Sequence, residues 1–582
     1  MKNYLLYRVV FVFCSLLFSF QALAQTTPVS KCQAVDSDFH SKETKEIQKI
    51  IDLSSDDIKQ YKIIFYNIDK ERIDKAKKRL KKVDNKILYG HALAQIYLSK
   101  TYKTSPEELS EWLKNYADLP QKKSIQNLLF QKENKGLKKQ KSPFFGAYRW
   151  PEKDFQQISS KNKIFLKQQI KKFASALKKG KTKVARIVLE NKDVKKHLPP
   201  QYYAKMALIL APNYLIDNQN KLCAYWAQIA INRMPKDSTA YWLSGLANWR
   251  LENYKTAAAK FSHISKISSD PWMISAGDYW SGRCYEKLGQ KKQAQKMYAQ
   301  AAQQKYTFYG ILGAQQTNQT LQYQWQALSC HSSEASQFKK LLQNANIQRA
   351  MALMLCQQQK LAGMEISAIQ PDLSPQETEN LMLLAYKYRS YAIALKLAKE
   401  LDKNNKASHY DYFSYPQPQW EPQDGWTLDS SLVWAIVRQE SAFQTKAKSP
   451  AGARGLLQLL PNTAFHVTGN KAIKTNPFPL FAPEYNLKLG QEYVSYLLQK
   501  SFINGNIFYM LSAYNAGPTN LVRWQKKVKD NNDPLLYIEI IPARETRLYI
   551  ERVMANYWVY QMQNQQPSKT LEQVAKGQWP TI

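Results

Sequence analysis

Histidine and cysteine are scarce in this sequence, which has seven and six of them among 582 residues. Five cysteines remain outside the N-terminal leader, so at least one is a free thiol or forms an intermolecular bond, and the pairing of the others stays open, with Cys330 and Cys356 the nearest pair in sequence. The histidines are scattered and only His331 adjoins a cysteine, so the spacing expected of a zinc site is missing. We therefore expect no metal and no other cofactor.

Long apolar runs are also missing after residue 24, which argues against a membrane-spanning helix. Before that point, Lys2 and Arg8 precede an apolar run over residues 9–20, and the small residues Ala22-Leu23-Ala24 follow it. This order is typical of a cleavable signal peptide. We expect residues 1–24 to be removed on export, and we expect the mature protein to contact membranes peripherally or not at all.

Acidic residues are fewer than basic ones: the sequence has 46 Asp and Glu residues and 83 Lys and Arg residues, which gives a formal net charge of +37. Such an excess attracts polyanions, namely nucleic acid, acidic lipid headgroups or an acidic cell-wall polymer. In an exported protein without a nucleic-acid reading motif, the wall polymer is the natural partner and nucleic acid is not expected. The lysines are spread over many helix faces, however, so solubility alone also explains them.

Strand-like alternation is nearly absent between residues 45 and 399, where apolar residues recur three and four positions apart, as they do in helices. Two stretches repeat one pattern, AYWLSGLANWRLENYKTAAAKF from Ala240 and DYWSGRCYEKLGQKKQAQKMY from Asp278. The pattern resembles tetratricopeptide-type helix pairs, with Gly245 and Gly282 where the paired helices approach closely. Since one pair cannot bury its own apolar face, we expect the pairs to stack into an α-superhelical solenoid.

A segment rich in proline and aromatic residues, His409 to Trp426, separates the helical repeats from a C-terminal module. One helix of that module should begin at Asp429 or Ser430 and bury an apolar stripe with which Glu440 is aligned. Burial and the negative end of the helix dipole both disfavour the charged carboxylate and raise its pKa, as a general acid requires. The alternative is a glutamate at a frayed helix end that reaches water or pairs with an arginine.

Four short motifs follow one another in this module. They are Glu440-Ser441, Gly455-Leu456-Leu457-Gln458, Ala513-Tyr514-Asn515-Ala516-Gly517, and Ile541-Pro542-Ala543-Arg544-Glu545-Thr546-Arg547 with Tyr549. In this order they resemble the motif blocks of soluble lytic transglycosylases of the large superhelical type. The resemblance implies an all-α protein with a ring-like α-superhelical solenoid over 25–335, a helical linker domain over 336–412 and a lysozyme-like catalytic domain over 413–582.

The resemblance also implies a mechanism and a set of site residues. Glu440 would protonate the glycosidic oxygen between N-acetylmuramic acid and N-acetylglucosamine and then deprotonate the muramoyl C6 hydroxyl, which attacks C1 and closes a 1,6-anhydro ring. Substrate-binding roles are implied for Ser441, Ser449, Gln458, Leu460, Tyr514, Asn515, Glu545 and Tyr549. Gln458 is expected in a helix entered through Gly452 and Gly455. The implied compartment is the periplasm, and the implied partners are peptidoglycan glycan strands, with other cell-wall enzymes as further candidates.

Two alternatives stay open. Ordinary glycosidases use two carboxylates, whereas the next acid after Glu440 is Glu484, in a segment that reads as a loop. If no second carboxylate approaches the bond, the substrate's own hydroxyl must attack; a hydrolytic muramidase would instead release reducing ends. A non-catalytic periplasmic scaffold that only holds glycan would not need the Glu440 carboxyl at all.

Overall fold

The computed structural model describes residues 48–133, 158–326, 340–404 and 410–582. The expected signal peptide, Cys32, Cys330 and His331 lie outside these residues. Within them the regular structure is helical, and β-type pairing is limited to isolated bridges. The predicted all-α fold class is therefore confirmed. Among these residues, no helix combines the length and the apolar character needed to cross a bilayer.

The first of two compact units contains two separate stretches of sequence, the described residues 48–133 and 340–393. A buried charged cluster joins the stretches, because the Glu365 carboxylate lies 2.8 Å from Nε2 of His91 and accepts a hydrogen bond from Nε of Arg349 at 3.1 Å. The helices are α1 (Ser55–Asp69), α2 (Ile73–Leu80), α3 (Tyr89–Tyr97), α4 (Pro106–Asn115), α5 (Lys122–Glu133), α16 (Ala345–Leu355), α17 (Gln359–Ile369), α18 (Pro375–Lys387) and the start of α19 (Tyr391–Asn404).

The second unit begins with antiparallel helix pairs that confirm the predicted repeat. A Cβ atom on Gly245 would lie 2.4 Å from Cε1 of Phe261, and one on Gly282 would lie 2.6 Å from Cε1 of Tyr298. Only glycine therefore lets each pair approach as closely as it does. The helices of this part are α6 (Ser160–Lys178), α7 (Thr182–Glu190), α8 (Lys192–His197), α9 (Pro200–Ile216), α10 (Asn220–Arg233), α11 (Ser238–Arg250), α12 (Tyr254–Ile267), α13 (Pro271–Lys287), α14 (Lys291–Ala302) and α15 (Phe308–Gln316).

The same unit contains the C-terminal module, in which helix α21 (Ser430–Glu440) packs along the long helix α28 (Arg544–Gln563). The repeat helix α15 contacts α28 as well, and the rings of Phe308 and Trp558 stack with their centroids 5.1 Å apart. The module's helices are α20 (Asp411–Ser414), α21 (Ser430–Glu440), α22 (Pro461–Thr468), α23 (Ala472–Thr475), α24 (Pro483–Leu498), α25 (Ile507–Ala516), α26 (Pro518–Lys527), α27 (Pro534–Ile540), α28 (Arg544–Gln563) and α29 (Lys569–Ala575). Glu484, expected in a loop, lies instead in the first turn of α24.

Candidate active site

Helix α21 carries Glu440 at its last position. The Asp429 carboxylate caps the helix by accepting a hydrogen bond from the Ser431 N–H at 2.9 Å, which decides between the two predicted caps. The predicted apolar stripe is buried, but the buried surface is wider than a stripe, because every residue from Ser431 to Val437 is buried. Glu440 therefore stands where an enclosed helix emerges from the core, and its own side chain is partly exposed.

The environment of Glu440 favours the protonated carboxyl. Burial raises the pKa of Glu440 to about 7, and the negative charge of Glu545 acts in the same direction. The Tyr549 hydroxyl opposes both by interacting with the carboxylate. A carboxyl with such a pKa holds its proton near neutral pH and can both donate it and take one back, as predicted for a general acid that later acts as a base.

Two tyrosines adjoin this carboxyl. The Tyr514 and Tyr549 rings are stacked, with centroids 6.4 Å apart, and the charge of Glu440 raises the pKa of both phenols in addition to the larger effect of burial. The Tyr514 hydroxyl donates to the Leu457 carbonyl at 2.7 Å. The Tyr549 hydroxyl is buried and has no hydrogen bond of ordinary length among the described residues, so its interaction with Glu440 is a longer contact.

The prediction that Gln458 lies in a helix is wrong. Gln458 lies in a turn with a φ of 46°, and Gly455, three residues earlier, has a φ of 78°, a conformation that breaks a helix. The Gln458 side-chain nitrogen donates to the carbonyls of Gly455 at 2.8 Å and Ala447 at 3.2 Å. The side chain therefore stabilises the turn through these two hydrogen bonds.

The sequence analysis did not identify Asn486, a buried residue of α24 whose side chain stabilises this turn by hydrogen bonds. Its Oδ1 accepts from the Leu457 N–H at 2.8 Å, and its Nδ2 donates to the carbonyls of Leu480 at 2.8 Å and Arg454 at 3.1 Å. Because Leu457 also receives the Tyr514 bond, Asn486 indirectly positions the tyrosine beside Glu440. An asparagine within an apolar helical face was the signal available in the sequence.

The remaining predicted residues fall into two groups. Ser441 is buried and donates to the Val437 carbonyl at 3.2 Å, while the Ser449 hydroxyl accepts from the Ala453 N–H at 3.0 Å. Asn515 accepts from the Thr546 hydroxyl at 2.7 Å. These three hydroxyl or amide groups stabilise local backbone and helix contacts.

Glu545 and Leu460 form the exposed group. Glu545 lies in the first turn of α28, and Leu460 precedes α22 with 41% of its surface exposed. The structure thus brings Glu440, Glu545, Tyr514 and Tyr549 together, and leaves Leu460 as an apolar side chain open to solvent. Taken together, the described residues form an all-helical fold in which the partly buried Glu440 carboxyl has a pKa raised into the range that acid–base chemistry needs.

Comparison with known proteins shows which families this chain resembles. Residues 420–536 match the family described as the Transglycosylase SLT domain. The soluble lytic murein transglycosylase of Escherichia coli strain K12 is 30% identical over 287 residues, which cover 48% of this chain and 42% of that protein. A membrane-bound lytic murein transglycosylase C of Histophilus somni is 31% identical over 147 residues, 22% of this chain and 40% of that protein. The match thus spans less than half the length of these curated relatives.

Solved structures agree on the fold over a longer span. The 70 kDa soluble lytic transglycosylase of Escherichia coli superposes with a TM-score of 0.54 at 17% identity, covering 87% of this chain and 96% of that one. An inactive mutant of the lytic transglycosylase Slt from Pseudomonas aeruginosa gives a TM-score of 0.54 at 18% identity, covering 94% and 96%. Residues 420–536 thus form a transglycosylase SLT domain, the described chain has the fold of the superhelical lytic transglycosylases, and the resemblance predicted from the motifs is confirmed.

Proposed function

We propose that this protein is a peptidoglycan lytic transglycosylase and that Glu440 is its catalytic acid and base. The observation that carries the proposal is the partly buried Glu440 carboxyl, whose pKa is raised to about 7 at the end of an enclosed helix inside the SLT domain. Glu440 protonates the glycosidic oxygen, so the bond between C1 and that oxygen breaks. It then takes the proton of the muramoyl C6 hydroxyl, whose oxygen bonds to C1 and closes the 1,6-anhydro ring.

The balance of this reaction needs no water and no second nucleophile from the protein. The names of the relatives support the substrate class, because both of the relatives described above are called murein transglycosylases. One solved relative was captured with bulgecin A, and another is an inactive mutant in which a glutamate is replaced by glutamine. Both facts belong to those proteins, and the inactive mutant agrees with the proposal that a glutamate is essential for activity.

A hydrolytic muramidase is the second candidate, and one observation favours it. Glu545 is near enough to raise the pKa of Glu440, so a second carboxyl does approach the site although the next acid in the sequence, Glu484, is exposed on α24. Hydrolysis with two carboxyls needs one of them to attack C1 or to activate water. Glu545 is exposed, and we assign it to contact with the sugar chain instead.

The other predicted residues are proposed to shape the glycan site. Leu460 offers an exposed apolar surface to a sugar face, and Ser449 and Gln458 hold the turn beside it. We further propose that the protein acts in the periplasm after removal of residues 1–24. The division into a solenoid over 25–335, a linker domain over 336–412 and a catalytic domain over 413–582 stays a prediction.

Mass spectrometry of fragments released from purified peptidoglycan tests the proposal. The wild type should release anhydromuramoyl ends, Glu440→Gln should release none, and the matched variant Glu484→Gln should behave as the wild type. Reducing ends heavier by one water, together with inactivity of Glu545→Gln, would establish the muramidase instead. Bound glycan with no release by the wild type would establish a scaffold.

A further inference from the structure

Helices α6–α8 of the second unit carry a high density of lysine. Residues 160–197 contain twelve lysines and one arginine but only two acidic residues. Eleven of these lysines are exposed, and we call their side chains together the lysine surface. A hydrogen bond of 3.3 Å between the side chains of Asn162 and His197 joins the start of α6 to the end of α8, so the three helices form one compact group. None of the residues assigned to the Glu440 site belongs to it.

The acidic residues near the lysine surface do not neutralise it. The Glu190 carboxylate pairs with Nε of Arg186 at 3.5 Å, so these two charges offset each other. Asp217 lies near the start of α7, but its carboxylate pairs with Nζ of Lys527 at 2.9 Å. Asp193 is the remaining acid of α6–α8. Within the described residues, none of the lysines of this surface forms an ion pair or a side-chain hydrogen bond.

Helix stability does not account for this arrangement. Lys163, Lys167 and Lys171 follow one another four positions apart in α6, a spacing at which like charges repel. Lys183 lies in the first turn of α7, where the positive end of the helix dipole favours acidic residues instead. The folded chain therefore contains repulsion that an anionic partner would relieve.

The residue types of the surface indicate which anion it suits. Lysine offers a mobile point charge, whereas the fixed fork of an arginine recognises a carboxylate or phosphate in a set geometry, and the one arginine of α6–α8 is already paired. Residues 160–197 contain no tyrosine and no tryptophan, the flat side chains on which bases stack and against which sugar faces pack. Many mobile cations without a stacking surface match a layer of mobile, negatively charged headgroups.

Ile164 lies in the middle of the lysines of α6. It is 61% exposed, and it precedes Lys167 by three positions and Lys171 by seven, a spacing that places the three side chains on one helix face. The buried side chains of Leu166 and Phe173 point to the opposite side. An exposed isoleucine adds nothing to the binding of a soluble polyanion. It can enter the apolar boundary of a bilayer while the lysines keep their ammonium groups at headgroup level.

We propose that the outer face of α6, together with the turn into α7, binds the surface of a bilayer that contains anionic phospholipids. Ile164 inserts between the headgroups, and the lysines around it face their phosphates. The contact is peripheral and weakens with salt, because it depends on attraction between exposed charges. The inference goes beyond the proposed function and does not depend on the Glu440 site.

Flotation with lipid vesicles tests the proposal on the exported protein without residues 1–24, because the apolar leader would itself enter lipid. Vesicles of equal parts phosphatidylglycerol and phosphatidylcholine should bind the protein at least tenfold more tightly than pure phosphatidylcholine. The triple variant Lys167→Gln/Lys171→Gln/Lys178→Gln should weaken this binding at least twentyfold, because each lysine near an anionic bilayer contributes about fivefold.

A matched triple variant, Lys291→Gln/Lys292→Gln/Lys296→Gln, removes the same charge from exposed positions of α14 and should bind the vesicles as the wild type does. Ile164→Gln keeps every charge and should weaken vesicle binding at least fivefold, while its binding to purified peptidoglycan stays unchanged. All of the substituted side chains of α6 and α14 are exposed, so the melting temperatures should equal that of the wild type.

Equal binding of charged and uncharged vesicles, or equal binding by the two triple variants, overturns the proposal. Unchanged vesicle binding in Ile164→Gln also overturns it, because the surface would then attract anions without entering lipid. If the α6 triple variant loses affinity for purified peptidoglycan but not for vesicles, the lysine surface binds the wall polymer and the assignment to a bilayer is wrong.

Discussion

The Tyr549 hydroxyl on α28 interacts with the Glu440 carboxyl at the end of α21 and lowers a pKa that burial raises. Two residues more than a hundred positions apart thus set the protonation of the group that is proposed to do the chemistry. Burial raises the pKa of Glu440, and the Tyr549 hydroxyl limits that rise.

Tyr549→Phe removes the interaction that stabilises the carboxylate, so the pKa of Glu440 should rise further. Activity falls at the pH where the acid loses its proton, and this part of the pH–activity profile should shift to higher pH by about half a pH unit or more. Tyr496→Phe is the matched control, because the Tyr496 ring packs under Lys500 at 3.9 Å. An unchanged or lowered limb in Tyr549→Phe would contradict the assigned interaction.

Asn486→Ala should damage the turn that carries Gln458. The substitution leaves the buried Leu457 N–H group and the Leu480 carbonyl without a partner, which costs about 2–4 kcal/mol of unfolding free energy, while the Arg454 carbonyl keeps its bond from the Leu459 N–H. Urea denaturation measures this, and cleavage activity should fall with it, because Tyr514 loses its anchor at Leu457. The exposed neighbour Asn462→Ala should change neither quantity. Full activity in folded Asn486→Ala would show that the turn does not position the site.

Gly282→Ala should destabilise the helix pairs. The added methyl group meets the fully buried Tyr298 ring at 2.6 Å, and overpacking of this kind costs about 1–3 kcal/mol. Gly363→Ala is the matched control, because its nearest neighbour is 3.9 Å away and alanine favours helix by about 1 kcal/mol. Thermal unfolding should therefore separate the two variants in opposite directions. Equal melting temperatures would contradict the close approach.

Stability should fall as pH rises through neutrality because of Glu539. Burial raises the pKa of Glu539 to about 7, even though Tyr309 donates a hydrogen bond to its carboxylate and Arg547 acts in the same lowering direction. Between pH 4.5 and pH 7 the folded state therefore keeps the Glu539 proton, whereas the unfolded state, in which the pKa has its ordinary value of 4.5, has released it. The stabilisation that this proton gives is complete below pH 4.5 and is lost as pH rises through 7.

Chemical denaturation at a series of pH values measures this dependence. Glu539→Gln should reduce the fall in stability between about pH 5 and pH 8, because the amide cannot ionise, and the fall that remains belongs to other carboxyls such as Glu440, whose pKa is also about 7. The exposed control Glu484→Gln should leave the slope as in the wild type. A slope that Glu539→Gln does not change would assign the pH dependence elsewhere.

Local patterns in the sequence predicted the structural features that depend on residues close together in the chain. The glycines at 245 and 282 marked the helix crossings, and the Asp429 cap and the apolar run after it marked the helix that ends in Glu440. Contacts between residues far apart in the sequence could not be predicted from such patterns. The approach of Glu545 to Glu440 depends on the packing of α21 along α28, which no local period reports.

The misplaced helix at Gln458 has a local cause. A helix entered through Gly452 and Gly455 was predicted, but Gly455 and Gln458 both adopt positive φ values. The buried side chain of Asn486 from α24 supplies hydrogen bonds that stabilise the turn instead. A tertiary contact therefore overrode local helix propensity.

Titration of Glu440 in the folded full chain tests the central claim most directly. Carbon-13 NMR of labelled glutamate carboxyls, with Glu440→Gln used to assign the resonance, reports its protonation. The account predicts an apparent pKa of about 7. A carboxyl that titrates at its ordinary value of 4.5 or below would contradict it, because such a group would have lost its proton before a neutral-pH reaction could use it.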